Sequence, residues 1–464
     1  LKTIDALKLI STHKGIEVFL VGGFVRDYVR GVVNNDLDVV VKGRPINEVK
    51  AILKKYGDVK TVDLSKTNDE YTVNILLFKA FGDTTEAQIT LPRRGDSQVQ
   101  DFTHTLEDDA KHRDLRMNAM YLPINYTSID DVIDFSGGKK DIEERVINSN
   151  GDPIDRLSES PIRMMRAIAL SARTGYRLSE DLVRAIKKCS EMITKCPFEA
   201  IRGEFDEILL SSKPSKHLRM LVKTNLLKYI SPELFSCVDV KQDERYHKYD
   251  VFTHLIYSVD NCDKNLVLRL AGLLHDVGKP SAKKEADGRI TFHKHEMYSV
   301  RLAKDFLRQM KYESKTIKSV LLLIRLHMYH YTRDWTDSAV RKFIKAAEIP
   351  EAYISKEAIA SFPLFRLRAG ERLGNGLKPE AITTKQEDFE RRIVEIYEES
   401  KCLDVRDLHI DGNIVMTTFG IKPGAIVGEV LRHLLELVLE NPELNEREVL
   451  IELAKDYIGR KLNE

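Results

Sequence analysis

Two places in the sequence gather residues capable of phosphate chemistry. The first is "FLVGGFVRDYVRG" at residues 19–31, followed closely by "NDLDVVV". A strand-like run enters Gly22 and Gly23, and a helical pattern carrying Arg26 and Asp27 leaves them. Glycine, with no Cβ, lets an anion reach the backbone, and a new helix turns its N–H groups toward that anion. Asp36 and Asp38 then alternate along a β-type segment, which puts both carboxylates on one side. Two adjacent carboxylates repel unless a cation lies between them. Mg2+ is the usual one, because it bridges nucleotide phosphates and activates an attacking hydroxyl.

The second place is richer in imidazole. Seven of the 13 histidines fall between His247 and His330. The strings "VFTHLIYSVD", "LAGLLHDVGK", "FHKHE" and "IRLHMYHY" supply His254, His275, Asp276, His295 and His327. Imidazoles with a carboxylate suit a divalent metal that activates water for phosphoester hydrolysis. His247 and His330 read instead as satisfied core histidines.

The elements that must hold these groups follow from periodicity. Runs at residues 16–21, 38–41, 73–78 and 87–91 are rich in Val, Ile and Leu and bounded by Gly, Asp or Pro, as strands are. Pro45 opens a helical pattern through Tyr56. From Pro161 onward almost everything reads as helix, with short Pro, Gly, Asn or Ser breaks. Ser160, Arg163, Arg166 and Ala169 recur every third residue and are expected to share one helical face, with Met165 and Ile168 on an apolar face. Pro423 and Gly424 precede an apolar helix and would present N–H groups to a phosphate. The expected fold is α+β: a small mixed β-sheet head over residues 1–150, then a helical neck (151–240), a His-rich helical body (241–380) and a helical tail (381–464).

Composition narrows the class. The 464 residues carry 73 Lys and Arg against 72 Asp and Glu, so a polyanion site needs its positive charge gathered locally. No apolar run approaches the ~20 residues of a membrane span; the best, around residues 320–326, is broken by Arg325. The five cysteines are scattered, odd in number and contain no CxxC, which argues against a disulfide framework or zinc ribbon and for a reducing cytoplasm.

The ordered motifs resemble a known family. "LVGGFVRD…NDLDVVV", "LPRR" (91–94), "LEDDAKHRDLRMNAMYL" (106–122), "IDFSGGKKDI" (133–142) and "GDPIDRLSESPIRMMRA" (151–167) are similar to class II nucleotidyltransferases. These are the CCA-adding tRNA nucleotidyltransferases and bacterial poly(A) polymerases. The tail segment "DLHIDGNIVMTTFGIKPGAIVGEVL" (407–431) resembles the C-terminal part of the bacterial CCA-adding enzymes. The resemblance implies Mg2+ at Asp36 and Asp38 as the catalytic pair, with Gly22, Gly23 and Arg26 at the nucleotide. It implies ribose and phosphate contacts from Arg113, Asp114 and Asn118. Arg156, Ser160, Arg163 and Arg166 would lie along the base-reading segment. ATP and CTP would be donors and a tRNA 3′ end the acceptor, with no membrane and no obligate protein partner. The His-rich unit resembles the HD superfamily of metal-dependent phosphohydrolases. That implies a second divalent metal (Mn2+, Ni2+ or Co2+) at His254, His275, Asp276, His295 and His327, with Glu371 where the superfamily's last ligand is Asp.

Three residues depart from the family pattern. Ser160 stands where an acid is expected, Ala169 where a further Arg is, and Gln88 where many members carry another acid. A carboxylate only accepts hydrogen bonds and so selects the amino groups of C and A, whereas a hydroxyl also donates. Nucleotide choice is therefore open: C, C and A, or a subset. The segment between Arg94 and Leu106 also reads as shorter than the family's loop. Poly(A) polymerase, or a phosphohydrolase with a degenerate transferase head, are the alternatives.

Overall fold

The Val- and Ile-rich runs of the first 150 residues assemble into one seven-stranded sheet. Its spatial order is Gly57–Asp63, Asn74–Ala80, Ala87–Thr90, Leu37–Lys42, Glu17–Val21, Met120–Pro123 and Ile133–Asp134. Leu37–Lys42 and Ala87–Thr90 run parallel and the other neighbours antiparallel, so the sheet is mixed. The computed structural model describes residues 1–63, 74–94, 99–100, 102–286, 288–400 and 404–462. Val73, Cys402 and part of the segment between Arg94 and Leu106 lie outside the described residues. The chain divides into two compact units, Leu1–Ile230 and Ser231–Glu464.

Two strands differ from the sequence reading. Gly57–Asp63 mixes Val59 and Val62 with Asp, Lys and Thr and has no apolar run, as suits an edge strand that pairs, among the described residues, only with Asn74–Ala80. Met120–Pro123 lies inside a motif whose charged beginning, Leu106–Lys111, is helical. The helix after Pro45 is shorter than expected, Ile46–Leu53, and gives way to that edge strand.

After the sheet, Asp152 caps Pro153–Glu159 by accepting from the Ile154 and Asp155 backbone N–H groups. The chain then breaks, and the next helix is Arg163–Thr174. The expectation that Ser160, Arg163, Arg166 and Ala169 share one helical face is thereby corrected. Ser160 is extended (φ −149°, ψ 94°) because it precedes Pro161, whose ring disfavours helical geometry in the residue before it. Ala169 is buried with Met165 and Ile168 and Arg163 is largely covered, so that of the four only Arg166 is exposed. The largely helical remainder has two β exceptions among the described residues. Arg177–Leu178 pairs with Val146–Ile147, and Lys284–Ala286 forms a hairpin with Arg289–Thr291.

In the second unit, Val251–Asn261 and Pro363–Gly374 pack backbone to backbone. A Cβ on Gly374 would lie 2.5 Å from the Ser258 nitrogen, and one on Gly370 2.8 Å from Cys262 Sγ. This close approach carries Glu371 toward His254. Gly412–Phe419, Ala425–Glu440 and Arg447–Leu462 close around an apolar cluster that includes Val430, Leu434, Val438 and Leu450. No helix among the described residues is long and apolar enough to cross a membrane.

Candidate active site and metal centre

Glu17–Val21 ends at Gly22, whose φ of +69° starts the helix Gly23–Val29. A Cβ on Gly22 would stand 3.0 Å from Asp38 Oδ2, so the bare backbone here abuts the carboxylate. Asp36 immediately precedes the strand Leu37–Lys42 and is exposed, while Asp38 is half-buried within it. Burial raises the Asp38 carboxyl above its usual range; Arg113 opposes the rise, Asp36 adds to it, and Arg93 and Arg26 oppose it further. Gln88 is the direct parallel partner of Asp38, so the amide stands beside the acidic pair on the neighbouring strand. Hard oxygen donors of this kind suit Mg2+.

Arg26 is almost wholly enclosed. Its Nε and Nη2 donate to both Asp27 carboxylate oxygens at 3.0 and 2.7 Å, and Nη1 donates to Asn118 Oδ1 at 3.0 Å. Arg30 and Asn34 also donate to Asp27, at 2.7 and 2.9 Å. Burial pushes Asp27 up, but Arg26 and Arg30 more than reverse this, and it stays a carboxylate below its ordinary range. Arg26, Asp27 and Asn118 thus form a clamp that fixes the helix after Gly22 to the segment 116–118.

Arg113 is held by a residue the sequence reading did not single out. Asp109 Oδ2 accepts from Arg113 Nε at 2.9 Å and from the Tyr121 hydroxyl at 2.5 Å, and Asp109 Oδ1 accepts from the Arg93 backbone N–H at 3.0 Å. Burial would raise Asp109, yet Arg113 and Arg93 bring it below the usual carboxylate range; Arg113 in turn is raised. The i, i+4 spacing from Asp109 to Arg113 was the available signal. Asp114 Oδ1 caps its own turn by accepting from Leu115 N–H at 2.8 Å.

Glu159 bridges two arginines. Its carboxylate accepts from Arg156 Nη1 at 3.0 Å and Arg163 Nη1 at 2.7 Å, and Arg163 also donates to the Arg156 carbonyl at 2.8 Å. Arg166 lies 3.5 Å from Glu204 and is more than half exposed. Ser160 sits in the extended link between Glu159 and this arginine pair.

In the second unit the six expected ligands converge as two trios: His254, His275 and Glu371, and Asp276, His295 and His327. Each trio's ligand atoms lie within 4.8 Å of one another. His275, His295 and His327 each turn Nδ1 to a backbone carbonyl three residues earlier, at 2.9, 2.8 and 2.6 Å. That bond fixes Nδ1 as the protonated nitrogen and leaves each Nε2 with a lone pair, the arrangement of metal-ligating histidines. The three Nε2 atoms lie 3.3, 2.9 and 3.6 Å from Asp276. His254 Nε2 is 3.2 Å from His275 Nε2. Nε2 of His327 is buried with no hydrogen-bond partner among the described residues. This donor set fits an imidazole-preferring divalent cation.

Burial, with His275 beside it, pushes His254 down to about 3. Burial alone would raise Glu371, but Arg368 and the imidazoles bring it to about 2. Lys279, also missed in sequence although it lies in the quoted "HDVGK", is 2.6 Å from Asp276 and donates to Gln242 Oε1 at 2.7 Å. A cavity of about 390 Å3 opens on the cluster, lined by Asp276, His295 and Glu371 together with Lys279, Arg368 and Lys378. His247 packs edge-on against His254. His330 is exposed rather than in the core, because it follows the end of its helix at Leu326.

An acidic pair beside a glycine turn, ringed by arginines on a small mixed sheet, defines a nucleotidyltransferase head. Comparison with known proteins agrees. Residues 18–148 match the Poly A polymerase head domain, 175–237 the RNA and SrmB-binding site of polymerase A, 249–387 the HD domain and 376–454 tRNA nucleotidyltransferase domain 2. The chain is 26% identical to a CCA-adding enzyme of Ligilactobacillus salivarius, over 97% of this chain and 94% of that one. It is 27% identical to an A-adding tRNA nucleotidyltransferase of Deinococcus radiodurans, over 90% of each. Its fold is similar to that of the Bacillus stearothermophilus CCA-adding enzyme solved with CTP, with a TM-score of 0.65 at 20% identity over 100% of this chain and 98% of that one. Taken in order, these matches run along most of the chain and make it similar to class II nucleotidyltransferases that carry an HD domain. Such enzymes use divalent metal.

Proposed function

We propose that this chain adds nucleotides to the 3′ end of tRNA in the cytoplasm, taking them from ATP and CTP and releasing pyrophosphate. The observation that carries this is Gly22 lying against the Asp38 carboxylate, with Arg26, Arg93 and Arg113 within electrostatic reach. Asp36 and Asp38 would hold Mg2+, which supplies Lewis-acid stabilisation of phosphate charge when bound. The RNA 3′ oxygen attacks the α-phosphorus and the bond to pyrophosphate breaks. Gly22 and Gly23 leave room for the triphosphate, and the Arg26–Asp27–Asn118 clamp keeps that turn rigid. Arg113, with Asp114, would take ribose and phosphate, held in place by Asp109. Arg156, Arg163 and Arg166 would face the base, with Ser160 in the family's acidic position. In this reading residues 1–150 form the head, 151–240 the neck, 241–380 the body and 381–464 the tail.

The test uses tRNA lacking one, two or three terminal nucleotides, each labelled triphosphate alone and all together, and Mg2+. Products that stop after one to three additions support the reading. Long A tracts would indicate a poly(A) polymerase, and no incorporation would defeat it.

A second reading concerns the other unit. The convergence of six ligands with oriented imidazoles supports a metal-dependent phosphohydrolase at His254, His275, Asp276, His295, His327 and Glu371. The imidazole majority favours Mn2+, Ni2+ or Co2+ over Mg2+. Metal content by elemental analysis, and hydrolysis of phosphomonoesters with each ion, test it.

A further inference from the structure

A second cavity, of about 660 Å3, shares His293 with the one that opens on the metal centre. Lys283, Lys284, Lys294 and Arg301 line it with Met297 and Tyr298, and no carboxylate does among the described residues. In a chain with 73 basic and 72 acidic residues this is a local excess of positive charge. Of the four cations, only Lys283 has a carboxylate within ion-pair distance among the described residues, Glu285 at 3.7 Å. Tyr298 and Met297 are 38% and 64% exposed, and the Arg301 guanidinium lies 5.8 Å from the Tyr298 ring centroid.

The groove and the metal centre are built from the same helix. His295–Gln309 carries His295 into the metal cluster and Met297, Tyr298 and Arg301 into the groove. A Cβ on Gly278 would lie 2.4 Å from the Ser299 nitrogen and 2.5 Å from the His295 carbonyl oxygen, so the turn after Asp276 sits directly on that helix's first turn. His293 lines both cavities.

We propose that this groove holds single-stranded RNA whose phosphorylated end enters the metal centre. Cations track the phosphodiester backbone, while Tyr298 and Arg301 offer flat faces on which a base stacks. Lys279, Arg368 and Lys378 in the adjoining cavity receive the terminal phosphate. An acidic peptide would satisfy the cations but carries no phosphoester for the metal centre to hydrolyse. The proposal rests on the phosphohydrolase reading. There, a water oxygen joins the terminal phosphorus, the ester P–O bond breaks and the ribose oxygen leaves as a hydroxyl, giving inorganic phosphate and an RNA hydroxyl end.

The test compares full-length wild type with Lys284→Glu/Lys294→Glu/Arg301→Glu, none of which is a metal ligand. With Mn2+, phosphate release is measured from a short 3′-phosphorylated oligoribonucleotide and from p-nitrophenyl phosphate. KM for the oligonucleotide should rise roughly tenfold or more, as expected when several phosphate contacts are lost, while kcat and hydrolysis of the small substrate hold. Lys284→Arg/Lys294→Arg/Arg301→Lys should restore the wild-type KM. In parallel, a 4-thiouridine oligonucleotide should crosslink within residues 283–301. An unchanged KM, or an equal rise for both substrates, overturns the groove and leaves the phosphohydrolase reading standing. If wild type hydrolyses neither substrate, that reading fails, and the crosslink map alone decides: crosslinks within 283–301 uphold the groove and their absence removes it.

Discussion

Asp109→Asn tests the electrostatic frame of the head. The side chains of Asp109 and Arg113 are only 1% and 11% exposed, and their contacts are 2.9 Å long. Asparagine keeps the shape but leaves the guanidinium enclosed without its countercharge, and the Tyr121 hydroxyl and Arg93 N–H lose a charged acceptor. Removing one partner of a buried pair costs on the order of 3–5 kcal/mol. For a cooperative unit of this size that corresponds to a fall in Tm of about 10 °C. Asp108, whose side chain is 45% exposed, is the control, and Asp108→Asn should leave Tm close to that of wild type, because solvent screens its contacts. The pH dependence follows from the lowered Asp109 pKa. Its contribution is fully present above the unfolded carboxylate value of about 3.9 and is lost as pH falls through the folded value. The gap between wild type and Asp109→Asn should therefore be constant near neutrality and close in strong acid. Thermal unfolding followed by circular dichroism across pH measures both. If Asp109→Asn shifts Tm no more than Asp108→Asn, the carboxylate is not what holds Arg113.

Other outcomes follow from the same geometry. Gly22→Ala places a methyl 3.0 Å from Asp38 Oδ2 at a positive φ, and should cost about 1–3 kcal/mol while lowering nucleotide addition at least tenfold in a primer-extension assay. Ser160→Asp should sharpen selection toward C or A when the four triphosphates compete, and unchanged ratios would put base reading elsewhere. The double change His275→Ala and Asp276→Ala should abolish bound metal and phosphoester hydrolysis while leaving nucleotide addition near wild type; loss of both activities would show that the two units do not act separately.

Much of this was legible in the chain. The Gly22–Gly23 turn, the strands near Asp38 and Gln88, and the six ligands around Asp276 all carry local signals of residue type and spacing. What the sequence hid depended on tertiary partners. Gly57–Asp63 reads as polar because an edge strand need not bury both faces. Ser160 and Ala169 fit an every-third pattern, yet Pro161 breaks the helix before Arg163 and packing buries Ala169. Arg26 was legible as a cation near the nucleotide turn, but not as half of a bidentate pair with its neighbour Asp27, which only the folded geometry reveals.

If Asp36 and Asp38 form the transfer site, neither can lose its charge without loss of nucleotide addition. The most direct measurement is single-nucleotide extension of a truncated tRNA by wild type, Asp36→Asn and Asp38→Asn, each first shown by circular dichroism to be folded and by gel shift to bind tRNA. Asparagine preserves size but removes the charge that binds Mg2+. Wild type should extend the tRNA, and each single variant should bind it yet add nothing measurable. Near-normal extension by both variants would contradict that role for the two aspartates.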